Sequence, residues 1–246
     1  MIRRLRLPHL PEGNVRQIII GEKYRKLLEK ALSEYNIEAF WLKSNPYVDS
    51  RLSGHADLSA AHVGDTVLLA EYLTDSENVN KLIDIGYSCR FVRNCESKYP
   101  GDAGLNFCLI GNRLIADPRI SLFEAADGVK LISVRQGYTK CSVCVVDENS
   151  IITSDKRIGE LCLKDGMNVL IIDKPFVELE GFGHGFIGGA SFKLSKSKLA
   201  FTGVIRNNDI RNRIEGFLSQ QGIEAVYLTE KAIFDIGSAI PLTEEL

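Results

Sequence analysis

The sequence has no long hydrophobic run and no excess of positive charge. Its first thirteen residues, MIRRLRLPHLPEG, contain three arginines but lack the apolar stretch of about 7 to 15 residues that a signal peptide needs. No later segment approaches the run of about 20 apolar residues that spans a membrane. The formal net charge is −2, which provides no basic field and makes nucleic acid a disfavoured partner. We therefore expect a cytoplasmic protein without a membrane segment.

Cysteine is also sparse and irregularly spaced in this chain. The cysteines are Cys89, Cys95, Cys108, Cys141, Cys144 and Cys162. Six cysteines in 246 residues are too few for a secreted disulfide scaffold, so we predict reduced thiols that mostly behave as small apolar residues. The remaining composition, 45% hydrophobic and 25% charged, is typical of a globular protein with a sizeable core.

A β-hairpin is predicted in the middle of the chain, at 137–153. There, β-branched and small residues are followed by the polar turn Asp147-Glu148-Asn149 and a second apolar run. The same layout occurs at 54–70, 101–116 and 185–202. A fifth hairpin is divided between the chain ends, with 236–242 as its first strand and 15–21 as its second. Pairing of the two ends would leave no exposed sheet edge there.

A helix followed by a strand is predicted after each hairpin. These units lie at 22–42, 75–93, 119–134, 155–172 and 207–228. The first and last share an internal repeat, since SEYNIEAFWL at 33–42 and SQQGIEAVYL at 219–228 are identical at five positions. The prediction is one α/β domain over 1–246, made of five ββαβ modules at 15–42, 54–93, 101–134, 137–172 and 185–228, with 236–242 closing onto 15–21.

Alignment of the five hairpins on their turns makes one position of each module equivalent. These positions are Asp57, Gly104, Cys141, Gly189 and Gly237, and we expect them to surround a pseudo-fivefold axis. Glycine suits close approach of several backbones. Asp57 and Cys141 would place side chains in that crowded space, which makes it the first candidate site.

Five ββαβ modules closed by the termini resemble the pentein fold, a propeller shared by guanidine-modifying enzymes and a non-catalytic ribosomal anti-association factor. The segments GHADLSAAHVGD, GYTKCS, ITSD and GFIGGAS are most similar to uncharacterised bacterial pentein-like proteins. In the enzymes, a nucleophilic cysteine follows a glycine-rich turn near the chain end, usually after a histidine. The matching stretch here, DIGSAIP at 235–241, has neither residue. The resemblance also implies that a carboxylate such as Asp57 holds a cationic substrate.

The candidate catalytic residues are Cys141, His55 and His184, and the candidate substrate-binding residues are Asp57, Asn106, Ser191 and Ser238. His55 and Asp57 are two apart, so on a strand they would share a face. Cys141 follows Lys140, and a nearby cation would lower the pKa of the thiol toward a reactive thiolate. The alternative for Cys141 is a small structural residue.

We predict neither a metal nor a cofactor. The His55-x-Asp57 pair lacks the further ligands of a zinc site. Cys141 and Cys144 are three apart, so on a strand they would face opposite sides, with Cys144 in the core. The glycine-rich stretch 181–189 lacks the spacing of a phosphate loop and suits either a lid that carries His184 or a plain loop.

Three further patterns have simple structural explanations. Asp155 is predicted to cap the helix that follows it, and Asp102 to belong to a turn. The cluster of Lys193, Lys196 and Lys198 is typical of a solvated hairpin tip.

The leading hypothesis is an axial site for a small, polar, nitrogen-containing ligand, in a hydrolase that acts on a guanidino, amidino or amide compound. In that enzyme Asp57 would anchor the cation, Cys141 would attack an electrophilic carbon, and His55 or His184 would transfer protons. The alternative is a non-catalytic interaction module, similar to the ribosomal factor, with a protein partner.

Overall fold

The computed structural model describes residues 1–93 and 97–246, so the prediction for Cys95 lies outside the described residues. The α-helices are α1 Arg25–Glu34, α2 Glu77–Asp84, α3 Thr139–Ser142, α4 Lys156–Lys164 and α5 Asn208–Gln220. Short 3-10 helices lie at Glu22–Tyr24, Ala56–Leu58 and Glu71–Leu73. The strands are β1 Ile2–Arg4, β2 Asn14–Gly21, β3 Glu38–Leu42, β4 Ala60–Val63, β5 Thr66–Ala70, β6 Ser88–Val92, β7 Cys108–Ile110, β8 Arg113–Ala116, β9 Lys130–Ser133, β10 Val143–Asp147, β11 Ser150–Thr153, β12 Asn168–Ile171, β13 Ser191–Ser195, β14 Lys198–Phe201, β15 Glu224–Tyr227 and β16 Ile240–Glu245.

Within the described ranges these strands form five small sheets of one repeated pattern. In each sheet, an antiparallel hairpin is followed by a strand parallel to its second member. The sheets are β4-β5-β6, β7-β8-β9, β10-β11-β12, β13-β14-β15 and β1-β16-β2-β3. The predicted strand order of the module and the α/β class are therefore confirmed.

The fifth hairpin joins the two ends of the chain, as predicted. β16 pairs antiparallel with β2, with Ile240 opposite Ile19, and β1 adds a further strand on its other side. The first strand begins at Ile240 and not at 236. The reason is that Gly237 and Ser238 have φ values of 66° and 63°, which an extended strand does not permit.

The helix ends confirm the internal repeat between modules. Asn36 and Gly222, which are equivalent in the two repeated segments, both have positive φ values, of 55° and 69°. Gly86 and Gly166 follow α2 and α4 in the same conformation, which commonly ends a helix. At the other end of α4, the Asp155 carboxylate accepts the Ile158 N–H at 3.0 Å, so the predicted cap is confirmed.

The helix predicted within 119–134 is wrong. Residues 117–129 form turns and irregular chain before β9. The Asp117 carboxylate accepts the Arg119 N–H at 3.0 Å, and the Ser121 hydroxyl accepts the Phe123 N–H at 3.2 Å. Such local side-chain bonds to the backbone compete with helix formation. Phe123 then stacks on Phe107, with ring centroids 5.0 Å apart, so packing fixes a non-helical connection.

The apolar core lies between consecutive sheets. Each of five buried clusters joins residues of two sheets that follow each other in the chain, and one of them joins β13–β15 to β2 and β3. Ile152 and Phe201 belong to one such cluster, and Ile18 and Phe192 to another. Neighbouring sheets are thereby held together. Apart from Ser191, the first residue of β13, the candidate residues lie in the segments that precede the hairpins. None of the helices in the described part of the chain is long and apolar enough to cross a membrane.

Candidate functional site

Backbone hydrogen bonds join the segments that lead into four of the hairpins. Asp57 N–H donates to the Gly237 carbonyl at 3.0 Å, Gly189 N–H donates to the Cys141 carbonyl at 2.9 Å, and Ser238 N–H donates to the Gly189 carbonyl at 3.0 Å. The predicted equivalent positions in these four modules are therefore neighbours in space. The module that contains Gly104 reaches the same place through Asn106, described below.

Two of these glycines are required by close approach. A Cβ atom on Gly189 would lie 2.0 Å from Asp235 Oδ1, and one on Gly237 would lie 2.1 Å from His55 Cβ. Real Cβ atoms do not come so near to other atoms, so any side chain would force the segments apart. Gly237 also has a left-handed backbone, which favours glycine independently.

The prediction that His55, Asp57 and Cys141 lie on strands is wrong. Asp57 is within the 3-10 helix Ala56–Leu58, and Cys141 is within the single-turn helix α3. The strands begin only at Ala60 and Val143, where the β-branched run of that hairpin starts. Cys144 does lie on β10 in the apolar core, as predicted, and both cysteines are free thiols.

The thiol of Cys141 is held by Asp57 and Asn106. It donates to Asp57 Oδ2 at 2.9 Å, and Asn106 Nδ2 lies 3.3 Å from the sulfur. The Asn106 carbonyl oxygen accepts the Cys141 backbone N–H at 3.1 Å, so this side chain fixes both the backbone and the sulfur. Cys141 is 2% exposed and the other two are each 1% exposed.

Ser238, and Lys140 through it, support the same oxygen of Asp57 that accepts the thiol. The Ser238 hydroxyl lies 2.9 Å from Asp57 Oδ2 and 3.0 Å from the Gly188 carbonyl oxygen. The buried Lys140 ammonium donates to Ser238 Oγ at 3.1 Å and to the Gly188 carbonyl at 3.4 Å. Among the described residues its ammonium therefore bonds to these oxygens and not to the thiol of Cys141, the residue it was predicted to activate.

Asp235 and His55 complete the group. Asp235 accepts the backbone N–H groups of Gly237 and Phe186, each at 2.8 Å. Its Oδ1 is 4.0 Å from His55 Nδ1. His55 Nε2 and Asp57 Oδ1 are buried without a hydrogen-bond partner among the described residues. We name the side chains of His55, Asp57, Asn106, Cys141, Asp235 and Ser238 the central cluster.

Burial dominates the electrostatics of the central cluster. Burial and the nearby Asp57 and Asp235 carboxylates raise the pKa of Cys141 well above its usual value. Burial also raises the pKa of Asp57, raises that of Asp235 to about 6 and lowers that of His55 to about 4. The thiol is therefore protonated in this conformation, which is opposite to the direction predicted from Lys140.

A cleft of about 600 Å³ borders the central cluster, because Asp235 belongs to the cluster and also lines the cleft. Tyr24 and Phe234 line the same cleft, and the Tyr24 ring centroid is 6.3 Å from that of His55. The cleft is also lined by charged side chains of both signs, Lys23, Arg51, Glu178 and Glu180. The cleft therefore combines apolar rings with charges of both signs and reaches the buried Asp235 carboxylate.

The glycine-rich stretch 181–189 divides into two parts. Residues 181–184 are exposed at the cleft, where Arg51 donates to the Gly181 carbonyl at 2.8 Å and lies 4.2 Å above the Phe182 ring. Gly188 and Gly189 are instead buried at the cluster. The predicted lid or loop that carries His184 can therefore include only residues 181–184, because Gly188 and Gly189 are part of the packed centre.

The structure separates two predicted site residues from Cys141. His184 is exposed at the cleft, with Nδ1 3.1 Å from the Gly185 carbonyl oxygen. Ser191 donates to the Ile187 carbonyl at 2.8 Å and lines a much smaller cavity with His9 and Lys193. Asn106 and Ser238, by contrast, lie in the central cluster as their positions predicted.

The structure differs from the simple structural explanations predicted for Asp102 and Lys193. Asp102 is buried and accepts a hydrogen bond from the Tyr138 hydroxyl at 2.7 Å, so it also joins two segments that are distant in sequence. Lys193 is 3% exposed, and the prediction of a solvated lysine there is wrong. Its ammonium donates to the Lys196 carbonyl at 2.7 Å, which lets a buried chain end in a satisfied hydrogen bond.

Asp235 is not among the site residues predicted from the sequence, because the segment 235–241 lacks the cysteine and histidine that the resemblance implies there. It lies two residues before Gly237, as His55 lies two residues before Asp57, and this shared offset is the signal that finds it. With His55 and Cys141 it offers a nitrogen, a sulfur and an oxygen atom within 4.8 Å of one another. These three residues could hold a metal ion.

Comparisons with known proteins agree with this fold. Residues 19–240 match the model of a family of unknown function, DUF6873, and none of the curated proteins matches the chain.

Among solved structures, inosamine-phosphate amidinotransferase from Streptomyces griseus is similar with a TM-score of 0.59 at 9% identity, over 98% of this chain and 97% of that chain. A substrate-bound Cys-to-Ser variant of agmatine deiminase from C. jejuni has a TM-score of 0.55 at 12% identity, over 100% and 97%. An amidinotransferase of saxitoxin biosynthesis from Microseira wollei has a TM-score of 0.51 at 7% identity, over 90% and 91%. At these identities the likeness is one of fold, and at that level the predicted resemblance to the pentein fold is confirmed.

Proposed function

We propose that this chain, which belongs to the DUF6873 family, binds a small organic cation at the central cluster and transforms it through Cys141. The observation that carries this proposal is the thiol of Cys141 at 2.9 Å from the Asp57 carboxylate, with His55 and Asp235 beside it. The substrate class is a guanidino or amidino compound. Its support is that similar structures are named as amidinotransferases and as agmatine deiminase.

The sheets surround the cluster as five modules about one axis in this proposal. Its support is the order of the apolar clusters, since each sheet packs on the sheets before and after it and the last packs on the first. Asp57, Cys141, Gly189 and Gly237, joined by their backbone bonds, then lie around that axis. A ligand on the axis would contact several modules at once.

Charge favours a cation at this position. The Asp57 and Asp235 carboxylates are both buried beside the thiol, and burial of such groups is unfavourable unless they are paired. Asp57 Oδ1 has no hydrogen-bond partner among the described residues. A planar guanidinium offers several N–H donors to carboxylates. It would also reduce the negative field that raises the pKa of Cys141, and so favour the thiolate.

The covalent step follows from the contacts of Cys141. Its proton passes to Asp57, to which it is already bonded, while the sulfur forms a bond to the central carbon of the guanidino group. The C–N bond to the departing nitrogen breaks, and that nitrogen leaves as ammonia or an amine with the transferred proton. Water then attacks the carbon and breaks the C–S bond, which restores the thiol and releases a ureido product. His55 is placed to transfer protons in the second step.

A set of guanidino compounds tests this proposal directly. Chelator-treated protein is incubated with guanidinium, agmatine and arginine, then quenched in acid, and products and Cys141 adducts are identified by mass spectrometry. We expect turnover to be lost in Cys141→Ala and reduced about 100-fold or more in Asp57→Asn. Cys144→Ala, which removes a free thiol from β10, is the matched control and should retain activity. Unchanged turnover in Cys141→Ala would refute covalent catalysis.

A non-catalytic interaction module is the second candidate. It is favoured by the burial of the whole central cluster and by the raised pKa of Cys141. Iodoacetamide labelling over a range of pH, followed cysteine by cysteine, separates the two candidates. Catalysis predicts that a guanidino ligand accelerates labelling of Cys141 relative to Cys144 and Cys108. Labelling of Cys141 that is slow and unaffected by such ligands supports the interaction module.

A further inference from the structure

Three potential metal ligands of different chemistry converge from separate parts of the chain. His55 precedes the first 3-10 turn of its module, Cys141 lies in α3, and Asp235 precedes the left-handed Gly237. Their ligand atoms lie within 4.8 Å of one another. All three side chains are buried, and at most 3% of each residue is exposed, so the site is formed by packing and is shielded from bulk solvent.

Unpaired polar atoms at the same place independently indicate a ligand. His55 Nε2 and Asp57 Oδ1 are buried and have no hydrogen-bond partner among the described residues. Buried polar atoms in folded proteins are almost always paired, because an unpaired one costs about 1–3 kcal/mol. His55 is 3% exposed, with the Tyr24 ring centroid 6.3 Å from its own and Asp235 Oδ1 4.0 Å from its Nδ1. An electron-pair acceptor at the centre of the cluster would satisfy these atoms.

The type of ligand follows from the donor set. Sulfur, imidazole nitrogen and carboxylate oxygen together suit Zn²⁺, whereas Mg²⁺ and Ca²⁺ prefer oxygen alone. A thiolate and the Asp57 and Asp235 carboxylates would carry three negative charges, against the one positive charge of Lys140, which reaches Asp57 through the Ser238 hydroxyl. A divalent cation offsets this excess. The structure therefore favours a thiophilic divalent ion over a hard one.

We propose that His55, Cys141 and Asp235 bind one Zn²⁺ ion, with Asp57 next to the fourth coordination position. Binding forms a bond between zinc and sulfur and releases the thiol proton to solvent. This site stands on the same side chains as the proposed catalysis but does not rest on it. Zinc on Cys141 would block the sulfur from attacking carbon, so metal binding and covalent chemistry exclude each other.

Titration with Co²⁺ provides the first test, because cobalt replaces zinc and is coloured. Chelator-treated wild-type protein should bind one Co²⁺ per chain, with a near-ultraviolet band from the cobalt–thiolate bond, and Zn²⁺ should displace it. The band should vanish in Cys141→Ser, and affinity should fall at least tenfold in His55→Ala and Asp235→Asn. Cys144→Ser, which removes a neighbouring buried thiol, should bind as wild type does. Absence of Co²⁺ binding, or a band that survives in Cys141→Ser, would overturn the proposal.

X-ray absorption at the zinc edge gives a second test that needs no variant. Wild-type protein loaded with zinc should show one sulfur at about 2.3 Å and nitrogen or oxygen ligands at about 2.0–2.2 Å. Two sulfurs, or none, would overturn the assigned ligand set. Because turnover of guanidino compounds is measured in chelator-treated protein, failure of the proposed catalysis and failure of the zinc site are separate results.

Discussion

The substitution Gly237→Ala tests whether the centre of the molecule is as tightly packed as the structure shows. Gly237 has a φ of 66°, and its added Cβ would lie 2.1 Å from the Cβ of His55. Neither atom is the end of a flexible side chain, so the backbone of one segment must move. Movement would also disturb the N–H of Gly237, which donates to Asp235 at 2.8 Å.

Gly237→Ala has two costs, backbone strain at a positive φ and steric overlap with His55. Gly222→Ala measures the first cost alone. Gly222 has a similar φ of 69°, and a Cβ there meets nothing within 4 Å. A left-handed alanine costs about 1–2 kcal/mol, which is the whole effect expected at Gly222. At Gly237 overpacking adds about 1–3 kcal/mol. The predicted loss of unfolding free energy is therefore about 2–5 kcal/mol for Gly237→Ala.

Urea unfolding of the two variants and the wild type measures the difference. With an m-value of about 3 kcal/mol/M, the midpoint of Gly237→Ala should lie about 0.3–1 M below that of Gly222→Ala. The m-values should agree, which shows that the change is in stability and not in compactness. Equal midpoints would refute the close approach of the 235–238 segment to His55. The shared centre on which the functional proposals depend would then be in doubt.

Two further predictions concern single side chains. Burial lowers the pKa of Lys193 from 10.5 to about 8. Between these pH values the folded protein binds fewer protons at Lys193 than the unfolded protein does, so the free energy of unfolding increases as pH rises. The free energy of unfolding of wild type, relative to that of Lys193→Met, should therefore increase by about 3 kcal/mol from pH 8 to 10.5. Urea unfolding measures this increase, and the variant of an exposed lysine, Lys196→Met, should show none. Asp155→Ala removes the cap bond to Ile158 and should cost about 1 kcal/mol. Ser76→Ala, which removes a longer cap bond of 3.4 Å, should cost less, and equal losses at both caps would contradict this reasoning.

Strand pairing could be predicted from the sequence because each hairpin carries its own local signals. Apolar β-branched runs separated by Gly64 or by Asp147-Glu148-Asn149 determine both the strands and the turn. The join between the chain ends followed from the repeat, since one hairpin was missing and two single strands remained. Helices were predictable where a cap such as Asp155 preceded a periodic apolar face.

The irregular segments could not be predicted in the same way. At 119–134 the conformation depends on the side-chain bonds of Asp117 and Ser121 and on the stacking of Phe123 against Phe107. Phe107 directly precedes β7, so this last contact is not local in sequence. Cys141 is in a helical turn whose N-terminal neighbours are bonded to the Asn106 carbonyl. Tertiary bonds of this kind override local propensity.

Position within the repeat predicts the central cluster better than any local motif. Cys141 belongs to a Cys-x-x-Cys motif and His55 to a His-x-Asp motif. Neither residue lies on a strand, so the spacing within these motifs does not determine which side chains meet. What brings them together is that the turn-aligned positions meet, and that residues two before them point to the same centre. His55 and Asp235 share this offset and lie 4.0 Å apart. Because the equivalent positions of four modules are neighbours, a substitution at Asp57, Cys141, Gly189 or Gly237 would alter the same site.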